Sequence, residues 1–148
     1  MKARDTERLE LIIPSTMDYL SLVNGVVEEI CDRVEVEETA RDAFTTSVVE
    51  ACTNAIEHGN REDASKLVRI RFEYNFSRLE VFVSDQGKGF DLEGVADPVQ
   101  PENLLRERGR GIFILRSFMD EINYDFDPIT GTTVHLVKNL DGTARAAQ

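Results

Sequence analysis

The stretch VVEACTNAIEHG, Val48 to Gly59, places Glu50 and Asn54 one helical turn apart in an otherwise apolar pattern and then stops at His-Gly. At about 100° per residue, Phe44, Val48, Val49, Ala51, Cys52, Ala55 and Ile56 fill one side of a helix, while Thr46, Glu50, Asn54 and Glu57 share the other. Taken in isolation, that polar side reads as a solvated surface. The acidic residues of EVEETARD suit the positive end of a helix dipole, so the spacing predicts a helix from about Glu38 to His58, with Gly59 at its C′ position.

Upstream, Leu9, Leu11 and Ile13 alternate in RLELIIP, a short strand ended by Pro14. Ser15 and Asp18 form a capping-box-like start for a first helix, in which Leu20, Val23, Val27, Ile30 and Val34 recur at three- and four-residue steps to about Asp32. Downstream of the polar loop GNREDASK, Val68, Ile70, Phe72 and Tyr74 alternate with charged residues, and LEVFVSD follows as a hairpin partner across a turn at Asn75 to Arg78. From about 91 to 110 no apolar period is sustained, and Pro98 and Pro101 interrupt the chain. GIFILRSFMDEI then predicts a third helix through Ile112, Leu115, Phe118 and Met119. INYDFD and GTTVHLVK predict a last hairpin turned at Asp127, Pro128 and Gly131. The expected architecture is an α/β two-layer sandwich: a mixed, mostly antiparallel sheet with about three helices packed on one face.

A length of 148 residues fits one domain spanning 1–148, with a loose tail from about 141. No stretch reaches the roughly 18 apolar residues of a membrane span, and MKARDTERLE is too charged for a secretory leader, so the cytoplasm is the expected location. Cys31 and Cys52 lack metal-site or redox spacing and read as buried reduced thiols. A formal charge of −11 argues against nucleic acid as a partner and for a protein or a small ligand.

Asp85 continues the parity of Leu79, Val81 and Val83, which turns a carboxylate toward the core, where it needs a specific partner. Gly87 and Gly89 follow at once. DQGKGF is therefore either a ligand-approaching loop or simply a strand-ending turn. Gly109 and Gly111 precede the third predicted helix, whose N-terminal amides suit phosphate oxygens. Neither pair completes GxGxxG, because Leu92 and Ile114 hold the third positions, and there is no GxxxxGK(S/T) loop.

In order along the chain stand ExxxNAxxHG from Glu50 to Gly59, DxGxG from Asp85 to Gly89, GxG from Gly109 to Gly111, and Gly131-Thr132-Thr133. This set resembles the ATP-binding domain shared by gyrase, heat-shock chaperone, histidine kinase and mismatch-repair ATPases. EACTNAIEHG and RGRGIFILRSFMDEI look most like the anti-sigma-factor serine/threonine protein kinases of bacterial partner switching. The resemblance runs from RLELIIP to VHLVK.

The resemblance implies a set of roles. Asn54 would be the Mg²⁺ ligand and Glu50 the catalytic base toward a serine or threonine hydroxyl. Asp85 would accept the exocyclic amino hydrogen of adenine, with Gly87 and Gly89 beside base and sugar and a hydroxyl from Thr132 or Thr133 near the adenine end. The segment from about 91 to 110 would be the ATP lid, closing on the phosphates through Gly109 and Gly111. Arg106, Arg108 and Arg110 are candidates for countering phosphate charge, and Arg106 aligns best with the lid arginine of the anti-sigma kinases. The implied cofactors are ATP and Mg²⁺. The implied partners are an antagonist protein carrying a phosphorylatable serine or threonine, a sigma factor or other regulator, and a second copy in a homodimer. The alternative is a non-catalytic ATP-binding regulatory module that sequesters a protein partner. The proline-containing, arginine-rich lid and the GRG sequence depart from the family pattern.

Overall fold

The computed structural model describes residues 5–87 and 118–140. Along them run β1 (Glu7–Pro14), α1 (Leu20–Arg33), α2 (Glu38–Asn54), β2 (Leu67–Tyr74), β3 (Arg78–Ser84), β4 (Glu121–Asp127) and β5 (Gly131–Asn139). The strands form one sheet in the order β1-β2-β3-β5-β4.

All strand pairings among the described residues are antiparallel, which corrects the expectation of a mixed sheet. Chain direction gives the reason. Two helices separate β1 from β2, and an out-and-back helix pair returns the chain to the end of the sheet it left. Pro14 at the end of β1 accordingly lies opposite Leu67 at the start of β2. A single intervening helix would have produced the parallel neighbour of a βαβ unit.

Two α-helices stand among the described residues where about three were expected. Of the third predicted helix, residues 111–117 lie outside those described, and Glu121 and Ile122 at its expected end already belong to β4. α1 also begins later than its apparent cap. Ser15 is buried, and its hydroxyl donates to the Lys66 carbonyl at 2.7 Å. A 3-10 turn at Met17–Tyr19 intervenes, and α1 starts at Leu20.

Strand alternation divides the sheet into two faces. Val68, Ile70 and Phe72 of β2, Leu79, Val81 and Val83 of β3, and Val134 and Leu136 of β5 form one buried cluster with Val23, Val27 and Ile30 of α1 and with Phe44, Val48, Ala51 and Cys52 of α2. Both helices therefore cover the same face. On the other face the Arg71 guanidinium lies 4.1 Å from the centre of the Phe82 ring, and Phe82 stacks on His135 with 4.1 Å between ring centroids. His135 Nε2 is 2.9 Å from Glu80 Oε1.

Cys31 and Cys52 are free and buried, and burial pushes their thiols up to about 11 and about 12. Both are therefore neutral and poor nucleophiles at physiological pH. Among the described residues no helix is long and apolar enough to cross a membrane.

Phe44 and Phe72 are the largest of the fully buried side chains among the described residues, and Phe44 belongs to the cluster that joins α2 to the central strands. Phe44→Ala is expected to lower the free energy of unfolding by about 3–5 kcal/mol, measured as a shifted urea midpoint at unchanged slope.

Candidate functional site

The polar face of α2 leads to the site. Glu50 and Asn54 are both half-buried, one turn apart, and Asn54 is the last residue of the α-helix proper. The next five residues, Ala55–Gly59, form a π-helical turn in which the Asn60 N–H donates to the Ala55 carbonyl at 2.8 Å. Such widened turns cluster at functional sites because they redirect the helix end without breaking it. Here the widened turn delivers Gly59 to Asp85.

Asp85 is buried, 7% exposed, at the end of β3. Three glycines enclose it. A Cβ on Gly59 would stand 2.3 Å from the Asp85 carboxyl carbon, one on Gly87 would stand 1.9 Å from the Gly59 carbonyl oxygen, and one on Gly131 would stand 1.9 Å from the Asp85 carbonyl oxygen. A side chain at Gly87 or Gly131 would strike main chain, and one at Gly59 would strike the Asp85 carboxylate itself. Gly59 thus differs from the left-handed C′ residue expected of it. Among the described glycines only Gly131, at φ +109°, has a positive φ, and Gly59 is required for proximity.

Hydrogen bonds fix the carboxylate within this cage. The Gly87 N–H donates to Asp85 Oδ1 at 2.9 Å, orienting the carboxyl plane, and the Asp85 N–H donates to the Thr132 carbonyl at 2.9 Å. The two threonines separate by parity. Thr133 lies opposite Ser84, and their hydroxyls are 2.8 Å apart. Thr132 shares the parity of Val134 and Leu136 on the helix-covered face, and its buried hydroxyl has no hydrogen-bond partner among the described residues.

Position along α2 orders the remaining groups. At 1.5 Å rise per residue on the regular part of α2, Glu50 lies about 6 Å beyond Asn54 on the side away from Gly59. A ligand seated on Asp85 and extended along α2 would meet Asn54 before Glu50. Burial raises the pKa of the Glu50 carboxyl, and the charge of Glu57 about two turns along adds to the rise. Arg106, Gly89, Gly109 and Gly111 lie outside the described residues. No group of three or more His, Cys, Asp or Glu among the described residues could hold a metal ion.

Sequence reasoning missed Asn60, which stood in what looked like a polar loop. Its side chain is fully buried and hydrogen-bonded to the residue after Asp85. An amide directly after the helix-ending glycine was the available signal.

The histidine kinase-like ATPase domain family matches residues 13–138. The chain is 29% identical over 144 residues to the serine-protein kinase RsbW of Bacillus subtilis, covering 93% of this chain and 89% of that protein. It is 30% identical over 140 residues to the serine-protein kinase RsbW of Bacillus velezensis, covering 90% and 86% respectively, and 28% identical over 139 residues to that of Staphylococcus epidermidis, covering 89% and 86%. Among solved structures it superposes on the RsbU and RsbW domains of Rv1364c from Mycobacterium tuberculosis with a TM-score of 0.67 at 15% identity. That match covers 90% of this chain and 32% of the other, so the chain spans about a third of the protein it resembles in fold. By the match across 13–138 and its likeness to these relatives, the chain belongs to the histidine kinase-like ATPase domain family, in the branch of the RsbW anti-sigma kinases.

Proposed function

We propose that the protein is an ATP-dependent anti-sigma factor and serine/threonine kinase of a bacterial partner-switching pathway, transferring the γ-phosphoryl group of ATP to a serine or threonine hydroxyl of an antagonist protein. The observation that carries this reading is the caged carboxylate of Asp85, held against the end of the helix that bears Asn54 and Glu50.

In this reading Asp85 accepts the adenine amino N–H. A guanine, with a carbonyl at that position, would set oxygen against oxygen, so the buried carboxylate selects the base. Gly59, Gly87 and Gly131 let main chain close around the base end, and Gly89 continues that border. The buried Thr132 hydroxyl supplies a polar contact beside Asp85, a position that Thr133, paired with Ser84, does not share. Asn54 offers one amide oxygen, which suits Mg²⁺ because that ion keeps most of its shell as water and phosphate oxygens. Bound there, Mg²⁺ would neutralise phosphate charge. Glu50 lies one turn farther on, toward the γ-phosphate end, where it orients and deprotonates the incoming hydroxyl. Its raised pKa makes it a better proton acceptor than an exposed glutamate while leaving it ionisable. In the single domain a lid over about 91–110 closes on the phosphates through Gly109 and Gly111, with Arg106 countering phosphate charge.

Phosphorylation of the antagonist decides whether the kinase's own surface is free for a sigma factor or other regulator. The protein acts in the cytoplasm as a homodimer.

Three outcomes test the site. Calorimetry is expected to show Asn54→Ala and Asp85→Asn weakening Mg-ATP binding by roughly tenfold or more. Equal affinity in both variants and the natural protein would reject the assignment. Glu50→Gln is expected to bind Mg-ATP nearly normally and to slow phosphotransfer to the cognate antagonist by between roughly 10²- and 10⁴-fold. Normal transfer by this variant would remove Glu50 as base.

The third outcome is pH dependence. The folded pKa of Glu50 is raised, so the protonated form is favoured in the fold. Its contribution to stability is complete below the ordinary value of 4.5 and is lost as pH rises through the higher folded value. Transfer has the opposite dependence, because the base must be ionised. Phosphotransfer is expected to climb with pH in a window above 4.5, a limb absent from Glu50→Gln, and Glu50→Gln is expected to be no less heat-stable than the natural protein at neutral pH.

A further inference from the structure

We infer that Asn60 is a positioning residue for nucleotide recognition: its buried amide holds the Asp85–Gly87 loop in binding geometry before any ligand arrives. The inference rests on the reading of Asp85 as the adenine acceptor and adds a residue to it.

Asn60 is 0% exposed and makes three polar contacts. Its Oδ1 accepts the Gln86 N–H at 2.7 Å, while its Nδ2 donates to Ser15 Oγ at 2.7 Å and to the Leu67 carbonyl at 3.0 Å. Ser15 Oγ in turn donates to the Lys66 carbonyl. One side chain therefore ties the end of β1 and the start of β2 to the loop that leaves β3. Gln86 reinforces the connection from the other direction, its Oε1 accepting the Leu67 N–H at 2.6 Å.

Two short runs lie side by side as a result. Gly59 faces Asp85 and Gly87, and Asn60 bonds to Gln86 between them. The glycine sets how close the helix end approaches, and the amide sets where along the loop it docks. An asparagine is required by the donor count. At that length only an amide combines an acceptor for the Gln86 N–H with two donors for Ser15 and the Leu67 carbonyl. Aspartate keeps the first contact but sets an oxygen against the Leu67 carbonyl and adds a second carboxylate near Asp85. Alanine leaves the Gln86 N–H without this partner. Neither change touches a group that would contact nucleotide, so any effect on binding passes through the placement of Asp85 and Gly87.

The test reads the loop and the ligand separately. In the nucleotide-free natural protein, the Gln86 amide is expected to be protected from hydrogen exchange as long as the β2 and β3 ladder amides are. Exchange at the rate of an open loop would overturn the inference without involving ATP. In Asn60→Ala, protection is expected to fall at Gln86 and Gly87 while α2 and β2 keep theirs. Mg-ATP affinity is expected to fall by roughly tenfold, with a narrowed preference for ATP over GTP. A merely structural role would instead lower the melting temperature and weaken protection everywhere, leaving the affinity and base preference of the folded fraction unchanged, and that result would refute positioning. If Asn60→Ala does not fold, Ser15→Ala, which removes one partner of the Asn60 amide and nothing near Asp85, is expected to show the same pattern with a smaller loss. Unchanged Gln86 protection together with unchanged Mg-ATP affinity in Ser15→Ala would also refute it. Failure of the underlying site reading is distinguishable, because Asp85→Asn would then bind Mg-ATP normally whatever Gln86 does.

Discussion

A carboxylate withdrawn from water at the end of a central strand is costly unless its surroundings are built for it, and the arrangement around Asp85 answers that constraint. The Gly87 amide fixes one oxygen, the Thr132 carbonyl holds the aspartate's own N–H, and Gly59 and Gly131 bring two further stretches of main chain into contact. Those stretches come from the helix layer and from the far hairpin of the sheet. Both layers meet at this residue, so helix placement, sheet register and the chemistry of the pocket depend on one another.

The helix reaches the carboxylate through its widened last turn. An uninterrupted α-helix from Glu38 would have carried Gly59 on a tighter spiral. The π turn at Ala55–Gly59 instead swings the chain toward β3 while leaving Asn54 and Glu50 on regular α geometry. Regularity matters for those two, because a fixed rise along the helix spaces them relative to Asp85. The buried cluster of Phe44, Val48, Ala51 and Cys52 beneath them keeps the helix from rotating about its axis.

Much of this was legible in the amino-acid order. Period-two alternation located the three strands of RLELIIP, VRIRFEY and LEVFVSD and the buried faces of the last two, whereas in RLELIIP only Ile13 is buried and Leu9 is exposed; the parity of Asp85 with Leu79, Val81 and Val83 placed it inward, where it lies. The apolar spacing of α2 identified the side packed on the sheet. Ser15 was misleading because a serine before a helical pattern has the same signature whether it caps the helix or bonds across the fold to Lys66. Gly59 resembled a helix stop because sequence shows only that a Cβ is missing, and the carboxylate that needs the space lies 26 positions away. Asn60 was hidden for the same reason, since all of its partners belong to other segments. Thr132 and Thr133 could be told apart only once the β3–β5 register was known. The family resemblance read from the four motifs agrees with the match over residues 13–138.

The contact between Gly131 and the Asp85 carbonyl bears on how the chain tolerates change in length. Gly131 opens β5 at φ +109°, with no room for a side chain above it. Sliding the β4–β5 hairpin by one residue would bring Thr130 or Thr132 to that place, and each would strike the carbonyl as well as turn every side chain of the strand to the opposite face. A one-residue slip of β5 against β3 is therefore sensed directly at Asp85, and Gly131 serves as the stop against which the terminal hairpin is indexed.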